Sequence, residues 1–370
     1  MQQFSDFSIL PYLRERLSLA RFSTPTAVQA AAIPPALEGK DVLATAPTGT
    51  GKTLAFLIPI LQQLLQRDGA GIAALVLVPT RELAIQVMDQ YTALKGKKLF
   101  PGALVIGGLA ERQQLAAIRG GARLVVATPG RLEDFLQRKL VRLDGVQMLV
   151  LDEVDRMLDM GFLPSIRRIL PLLPKDRQSL CFSATLETSV ARIVNDYMKT
   201  PVRLSFGSTL KPSENVTVRA FEVAHDAKQA LLRRLVAGET GRCLVFTRTK
   251  RGTERVARNL TRDGFTAAMI HGDRSQSQRS AALTGFQQGR YRVLVATDLA
   301  SRGIHVQDIA HVINYELPEV AESFIHRVGR TGRAGEAGVA STFFTREQRS
   351  DLQQLERVLG IQMERMTELR

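Results

Sequence analysis

Short apolar runs alternate with amphipathic stretches along most of the 370-residue chain. Runs that are apolar at successive positions are typical of strands buried on both faces of a sheet, and the stretches between them favour helices that cover those faces. In the first part of the chain the predicted strands are 42–44, 74–78, 103–106, 124–127, 148–151, 180–182 and 202–204. The pattern therefore predicts an α/β fold with a mainly parallel sheet.

The alternation stops at a polar stretch with Gly, Ser and Pro, residues 207–216, and then starts again. The second set of predicted strands is 218–223, 244–246, 267–270, 293–296, 309–313 and 339–344. A last amphipathic segment, 349–366, has helix-like spacing. We therefore predict two tandem α/β domains, 1–206 and 217–370, joined by a linker at 207–216.

The composition, 45% apolar and 23% charged residues, is ordinary for a globular protein. No apolar run reaches the length needed to cross a bilayer, and the first residues lack the basic segment and apolar core of a signal peptide. Both cysteines, Cys181 and Cys243, fall in apolar runs, which favours buried thiols over a disulfide. We therefore expect a cytoplasmic protein without membrane association.

The net charge is +14, from 50 Lys and Arg against 36 Asp and Glu. Such an excess favours a polyanionic partner. A merely basic, well-solvated protein would show the same excess, because the basic residues are dispersed through folded segments. Charge alone leaves both interpretations open.

Residues 46–53, with the sequence APTGTGKT, carry the strongest chemical signal; we call them the phosphate loop. They follow a predicted strand and open a helical pattern at 54–65. Glycines let backbone N–H groups turn inward around an anion, and the helix N-terminus adds partial positive charge. Lys52 can reach the β- and γ-phosphates and Thr53 can ligate Mg²⁺. The pattern indicates a nucleotide site, although Ala46 stands where the strict motif has Gly.

The second half of a nucleotide site follows the predicted strand at 148–151, which ends in two acids. We assign Asp152 to the metal ion and Glu153 to the water that attacks the γ-phosphorus. An acidic loop after a strand is common in α/β proteins. Its position after a phosphate loop favours the catalytic interpretation.

Further motifs are RFSTPTAVQ at 21–29, PTRELA at 79–84, GG at 107–108, TPGR at 128–131, SAT at 183–185, VFTR at 245–248, HGD at 271–273, ATD at 296–298, RGI at 302–304 and HRVGRTGR at 326–333. In order and spacing they resemble the DEAD-box ATP-dependent RNA helicases of helicase superfamily 2. The resemblance runs from Phe4 to about Phe344. It implies two RecA-like domains with an interdomain cleft, and a minimal core of that family.

The resemblance also implies roles in ATP binding and hydrolysis. Phe22 stacks on the adenine and Gln29 bonds its edge, although Arg21 replaces the usual small residue. The nucleotide-binding residues are Phe22, Gln29, Thr48, Gly49, Thr50, Gly51, Lys52, Thr53 and Gly303. Mg²⁺ is held by Thr53 and Asp152, partly through water. The catalytic residues are Lys52, Asp152, Glu153, Arg330 and Arg333, the two arginines being fingers toward the γ-phosphate that share one face if their segment is helical.

RNA is implied as the partner, bound through its backbone with little sequence preference. The implied RNA contacts are Arg81, Gly107, Gly108, Thr128, Gly130, Arg131, Arg248, Gly272 and Thr297. Residues implied to couple hydrolysis to RNA are Asp155, Ser183, Thr185, Asp298 and His326. We expect the hydroxyls of Ser183 and Thr185 to bond Asp155.

Two positions depart from the family pattern. Val154 replaces the Ala of Asp-Glu-Ala-Asp, and its extra methyl groups beside the metal would cost about 1–3 kcal/mol if the site is overpacked. His305 stands where the family usually has the Asp implied to contact the ribose. Imidazole cannot replace both carboxylate lone pairs, so we expect weaker ATP binding in the closed state unless His305 points elsewhere.

The implied function is an ATP-dependent RNA helicase that unwinds short duplexes locally or remodels RNPs. A non-unwinding RNA clamp with a slow ATPase, and a DNA-directed helicase of the wider superfamily, are the alternatives. We expect a monomer. Which RNA is bound, and whether partner proteins belong to RNP remodelling, RNA decay or ribosome assembly, stays open.

Overall fold

The computed structural model describes residues 3–47, 49–186, 188–206, 215–298, 309–332 and 337–366. Contacts within the chain divide it into two units, Met1–Gly207 and Ser208–Arg370. Of the predicted linker, 207–214 lies outside the described residues. Val216 was wrongly placed in the linker, because it pairs with Gly338 as the first residue of a strand.

The first unit is built from strands that the apolar runs predicted, with helices between them. Its strands are β1 Val42–Thr45, β2 Ala74–Leu77, β3 Ala103–Val105, β4 Leu124–Ala127, β5 Met148–Asp152, β6 Gln178–Ser183 and β7 Val202–Ser205. Its helices are α1 Pro11–Leu19, α2 Ala27–Leu37, α3 Lys52–Gln66, α4 Arg81–Lys95, α5 Glu111–Arg119, α6 Pro129–Gln137, α7 Val154–Asp159, α8 Leu163–Ile169 and α9 Thr188–Tyr197. Single 3₁₀ turns lie at Phe4–Asp6 and Leu170–Leu172.

The strands of this unit pair in parallel in the order β3-β4-β2-β5-β6-β1-β7. Each central strand is buried on both faces, because successive side chains point to opposite sides of a sheet. In β5, Met148 and Val150 pack into one apolar cluster and Leu149 and Leu151 into the other. The continuous apolar runs are thus explained by two helical layers that cover one sheet.

The second unit repeats this construction. Its strands are β8 Val216–Glu222, β9 Arg242–Thr247, β10 Ala267–Ile270, β11 Val293–Thr297, β12 Ile309–Asn314, β13 Gly338–Phe344 and β14 Glu364–Met366. Its helices are α10 Lys228–Gly238, α11 Lys250–Arg262, α12 Gln276–Gln287, α13 Ala321–Val328 and α14 Arg349–Leu359, with a 3₁₀ turn at Arg346–Gln348. The parallel order is β10-β11-β9-β12-β13-β8-β14.

The two sheets have the same strand order when each is numbered from its own first strand. β8 therefore corresponds to β1, and α10, which follows β8, corresponds to α3. Each of these helices begins with a buried lysine, Lys52 in α3 and Lys228 in α10. Lys228 Nζ donates to Tyr315 O at 3.2 Å and lies 5.8 Å from the centre of the Tyr315 ring.

The predicted helix at 349–366 was wrong in its second half. α14 ends at Leu359, because Gly360 takes the left-handed conformation (φ 60°) that ends many helices. Residues Glu364–Met366 then form β14, which pairs with β8 from Arg219 to Phe221. The strand was hidden from sequence analysis because it is short and its pairing partner lies far away in the chain.

Both cysteines are free and buried, as predicted. Burial raises the pKa of the Cys243 thiol to about 12, so the thiol form is favoured there. No helix within the described ranges has the length and apolar character required to span a bilayer.

His311 in β12 is buried as a neutral imidazole. Its Nε2 lies 2.8 Å from Ser341 Oγ in the neighbouring β13. Burial lowers the pKa of His311 to about 4, an effect that Glu239, 3.7 Å away, opposes. Since an unfolded chain has a His pKa near 6.5, the unfolded state binds the proton more readily.

We therefore expect stability that is fully present above pH 6.5 and is lost as the pH falls toward 4. The full shift corresponds to about 3 kcal/mol. His311→Gln should flatten the dependence of the urea midpoint on pH between 6.5 and 4, whereas the exposed His225→Gln should leave it unchanged. Equal pH dependence in wild type and His311→Gln would show that His311 is not the group that titrates.

Candidate nucleotide and RNA site

The phosphate loop turns through two left-handed glycines, Gly49 (φ 86°) and Gly51 (φ 88°), a conformation that glycine adopts without strain. α3 then begins at Lys52, so the predicted order of strand, loop and helix is present. The Lys52 side chain is buried, and its Nζ donates to Ala46 O at 3.0 Å. The lysine therefore bends back across the loop. Thr48 lies outside the described residues.

Gln29 fastens the phosphate loop to α2. Its Nε2 donates to Gly51 O at 2.9 Å, and its Oε1 accepts from Thr26 N at 2.9 Å. Thr26 Oγ1 donates to Thr50 O at 2.7 Å. Gln29 was expected to bond adenine. Because its amide already has two protein partners, one N–H and one lone pair stay available for a base.

Arg21 and Phe22 form the turn before α2. Arg21 has a left-handed backbone (φ 61°), which costs a non-glycine residue roughly 1–2 kcal/mol. This conformation explains why a small residue suits the position. Phe22 is half-buried, and its N–H donates to Leu17 O at 2.9 Å. The residue is packed against the apolar core of the first unit and is not fully buried.

Asp152 ends β5, which is separated from β1 by β6 alone. Burial raises the pKa of Asp152 to about 7, an effect that the positive charge of Lys52 opposes. A cation at this carboxylate would favour its ionised form, so the chemistry fits Mg²⁺. Thr53, half-buried in the first turn of α3, offers a second oxygen. Among the described residues no group of three or more His, Cys, Asp or Glu could hold a metal.

Glu153 has a left-handed backbone (φ 52°), and its N–H donates to Asp152 Oδ1 at 3.0 Å. Its buried carboxylate accepts a hydrogen bond from Nη1 of Arg156. Arg156 is only 2% exposed, and arginine is rarely buried unless it is paired. Sequence analysis missed Arg156, although a Glu and an Arg three residues apart at the start of a helix was an available signal.

Asp155 lies at the centre of a hydrogen-bond cluster with the loop after β6. Its Oδ2 accepts from Ala184 N at 2.8 Å, Thr185 N at 2.9 Å and Thr185 Oγ1 at 3.3 Å. Its N–H donates to Ser183 Oγ at 3.4 Å. The expected contacts with Ser183 and Thr185 are therefore present. Because Ser183 O also accepts from Ala46 N at 2.9 Å, the cluster is joined to the phosphate loop.

Val154 does not face the metal position, contrary to the sequence expectation. Its side chain is fully buried in an apolar cluster with Met157 and Val190, because α7 turns this position toward the sheet. The methyl groups therefore contribute to packing rather than crowding the carboxylates.

Val154→Ala should lower the free energy of unfolding by about 2 kcal/mol through loss of two buried methyl groups. ATPase activity should change by less than an order of magnitude, since the acids keep their partners. Thermal unfolding and steady-state ATPase measurements check the two parts, with the exposed Val358→Ala as the control. A larger loss of activity without a loss of stability would assign Val154 a direct role in the reaction.

The RNA loops predicted in the first unit follow β2, β3 and β4, which are adjacent in the sheet. The guanidinium of Arg81 lies against Gly107, where an added Cβ would be 2.7 Å from Arg81 Nη2. Gly108 has a left-handed backbone (φ 82°). Gln114, which sequence analysis did not select, holds this loop by accepting from Ile106 N at 3.0 Å and donating to the carbonyl of residue 109 at 3.0 Å.

The loop after β4 carries the other RNA residues predicted in this unit. Thr128 occupies the N-cap position of α6 without a capping hydrogen bond from its side chain, and its N–H donates to Val105 O at 3.1 Å. Gly130 is exposed in the first turn. Arg131 already has protein partners: it donates to Asp134 at 2.8 Å and to Glu111 at 3.4 Å. A phosphate would therefore have to compete with these carboxylates for Arg131.

A pocket of about 680 Å³ in the second unit gathers Arg248, Gly272 and Thr297, which were predicted to bind RNA. Asp298, predicted for coupling, lines it too. These residues follow or end β9, β10 and β11, which correspond to β2, β3 and β4 of the first unit. Sequence analysis did not assign the remaining lining residues, Thr249, Lys250 and Arg251.

Asp298 is held by Arg327, a residue that sequence analysis did not assign. Nε and Nη2 of Arg327 donate to the two carboxylate oxygens of Asp298, each at 2.6 Å. Its Nη1 donates to Asn314 Oδ1 at 3.2 Å and to Glu316 O at 3.0 Å. The buried arginine thus ties the end of β11 to the end of β12.

Arg330 lies in a turn, because α13 ends at Val328. The two finger arginines were expected to share one face if their segment is helical. Arg330 lies beyond the end of the helix, so that condition is not met there. Its side chain is 2% exposed, and its Nε donates to His326 O at 3.2 Å. Like Thr48, the predicted positions Gly303, His305 and Arg333 lie outside the described residues.

Comparison with known proteins identifies the family. The profile of the family described as "DEAD/DEAH box helicase" matches residues 26–193, and "Helicase conserved C-terminal domain" matches 227–335. ATP-dependent RNA helicase dbp2 of Neosartorya fischeri is 38% identical over 368 residues, covering 97% of this chain and 68% of that protein. The chain belongs to the DEAD-box helicase family.

Other relatives of this DEAD-box chain are longer. DEAD-box ATP-dependent RNA helicase 30 of Arabidopsis thaliana is 39% identical over 370 residues, which cover 97% of this chain and 62% of that protein. Probable ATP-dependent RNA helicase ddx17 of Dictyostelium discoideum is 39% identical, with 43% of its length covered. The chain thus spans less than two thirds of several curated relatives.

Solved structures confirm the fold. A DEAD box protein from the hyperthermophile Methanococcus jannaschii is 37% identical, with 99% of each chain covered and a TM-score of 0.57. Dbp5 of S. cerevisiae, bound to RNA and ADP BeF3, is 28% identical, with 99% of this chain and 96% of that chain covered and a TM-score of 0.89. The predicted tandem RecA-like architecture is correct. The individual roles assigned to site residues stay predictions.

Proposed function

We propose that this protein is an ATP-dependent RNA helicase that couples ATP binding and hydrolysis to local unwinding of RNA duplexes or remodelling of RNPs. The proposal rests on the positions of two groups of loops along one edge of the sheet. In the first unit, the loops after β1, β5 and β6 carry the phosphate loop, the acids and their coupling partners. The loops after β2, β3 and β4 carry the residues assigned to RNA.

The names of similar proteins support the proposal. The relatives from Arabidopsis and Neosartorya are called ATP-dependent RNA helicases, and the Dbp5 structure contains RNA and ADP BeF3. In the second unit, the pocket that contains Arg248, Gly272 and Thr297 repeats the same strand positions. A protein with two equivalent backbone-binding edges fits a ligand with a repeating phosphate chain.

ATP would be held by the phosphate loop, with Lys52 moving its ammonium from Ala46 O to the β- and γ-phosphates. Glu153 would orient the attacking water and accept its proton. Thr53 and Asp152 would hold Mg²⁺, which when bound neutralises charge on the phosphate oxygens. The assignment of Arg330 and Arg333 as arginine fingers stays a prediction.

Asp155 would pass the state of the nucleotide site to the RNA loops. It belongs to the acidic motif, yet it bonds the residues after β6 that are assigned to coupling. A coupling free energy between two sites is reciprocal, so ATP should tighten RNA binding by the factor by which RNA tightens ATP binding. The monomeric state, cytoplasmic location and partners in RNP remodelling, RNA decay or ribosome assembly stay predictions.

Steady-state ATPase rates with and without a structured RNA test this function, at matched salt because phosphate contacts are salt-sensitive. We expect RNA to stimulate the rate and Lys52→Ala to abolish the stimulated activity. Strand displacement of a short duplex then separates a helicase from a non-unwinding clamp. A rate that RNA leaves unchanged would contradict the proposed coupling.

A further inference from the structure

Helix α11 presents a row of arginines to solvent. Four arginines lie at spacings of four, three and four residues, which places them on one face of an α-helix. The opposite face is buried, with Val256, Ala257 and Leu260 in the apolar core of the second unit. All four members of this arginine row are exposed: Arg251, Arg255, Arg258 and Arg262.

The row begins at the pocket that contains the predicted RNA residues. Arg251 is a member of both, since it lines the pocket together with Arg248 and Gly272. The other three arginines continue along the helix away from its first turn, so the row extends for ~16 Å from Arg251 to Arg262. The pocket and the row therefore form one continuous basic surface.

Few acids neutralise the row. Arg258 Nη2 bonds Glu254 Oε2 at 2.7 Å, and within the described ranges it is the one member of the row with an ion-pair partner. The pocket carries more acid, since its Lys250 pairs with Asp273 and its Arg248 with Glu319. The row thus keeps most of its positive charge.

We propose that the row binds the phosphates of single-stranded RNA that continues from the pocket along α11. The inference rests on the proposed function and adds a second RNA-binding surface to it. A single line of charges follows one backbone, whereas a duplex presents two phosphate chains. Arginines and lysines that follow a backbone bind it without reading its bases.

The test compares the affinity of a short RNA oligonucleotide that fills the pocket with that of the same oligonucleotide extended at either end. Both are measured with a non-hydrolysable ATP analogue and Mg²⁺ over a series of salt concentrations. The variants are Arg255→Gln/Arg258→Gln/Arg262→Gln and the corresponding triple Lys substitution. A charge-matched control replaces three exposed arginines elsewhere in the second unit, Arg233→Gln/Arg290→Gln/Arg357→Gln.

We expect extension of the oligonucleotide at one end to tighten its binding to wild type. In the triple Gln variant this gain in affinity should be at least about tenfold smaller. The salt slope of this variant for the extended RNA should fall by about 2, since three phosphate contacts each contribute roughly 0.7. Affinity for the short oligonucleotide should stay within about twofold. The triple Lys variant and the control should keep the gain, because Lys also binds phosphate as a point charge.

The inference is overturned if the triple Gln variant keeps the gain in affinity that extension gives. The row would then be assigned to binding an acidic protein instead of RNA. The inference is also overturned if the control loses as much, since net charge would then be the cause, or if the Lys variant loses as much as the Gln variant. Wild-type protein that binds neither oligonucleotide would overturn the proposed function and this inference together.

Discussion

Glu153→Gln should abolish most ATP hydrolysis while RNA stays bound. The substitution keeps the size of the side chain but removes the carboxylate that would accept the proton of the attacking water. General bases contribute typically 10²–10⁴-fold, so we expect kcat to fall by about that factor. Because the γ-phosphate is not released, the complex with RNA and ATP should persist, and RNA dissociation should slow in parallel.

The measurement is a chase experiment in which labelled RNA is released in the presence of ATP and excess unlabelled RNA. Glu38→Gln makes the same chemical change at an exposed carboxylate that pairs with Lys40, and it should behave as wild type. Rapid release of RNA from Glu153→Gln would contradict the proposed coupling, because RNA release would then not depend on ATP hydrolysis.

Arg156→Met should both destabilise the first unit and slow the reaction. The substitution leaves the Glu153 carboxylate buried without its cation, and breaking a buried ion pair in this way costs about 3–5 kcal/mol. Without Arg156 the carboxylate is also free to leave the position in which this ion pair holds it. A misplacement of about 1 Å can cost 10²-fold, so we expect a loss of that order in kcat.

A double-mutant cycle separates the two effects. Arg156→Met with Glu153→Gln should recover much of the stability, because no buried charge is left unpaired, but it should not recover activity. Arg156→Lys should retain part of the activity, since it keeps the charge but not the planar fork. Arg168→Met, which breaks the pair with Glu133 on the surface, is the matched control and should have a small effect on thermal unfolding. Unchanged kcat in a folded Arg156→Met protein would restrict Arg156 to a structural role.

The strands and the helices that follow the phosphate loop and the acidic motif could be predicted because their signals are local. Each predicted strand is present, and the phosphate loop, Asp152 and Glu153 lie where a strand–turn–helix pattern requires. The side-by-side order of the strands could not be predicted, because pairing joins residues far apart in the chain. That order places the loops assigned to the nucleotide and the loops assigned to RNA on separate halves of one sheet edge.

Side-chain burial was the other feature hidden from the sequence. Arg156 and Arg131 look alike as arginines in the helix after a strand, yet the first is a buried clamp on a carboxylate and the second belongs to a more exposed ion pair. Val154 was misjudged for the same reason, since only the turn of α7 decides that it faces the core. Spacing alone does not distinguish a charge that meets a ligand from a charge that holds a neighbour.

The shared strand order of the two units bears on how many ATP molecules one chain binds. Lys228 stands where Lys52 stands in the first unit, but its ammonium is committed to the Tyr315 carbonyl and ring. The residues before it, 223–227, contain no glycine to curl around a phosphate. Burial lowers the pKa of Lys228. In the second unit, groups of the protein itself thus occupy the lysine that corresponds to Lys52. We therefore expect a calorimetric titration with ATP to saturate at one equivalent per chain.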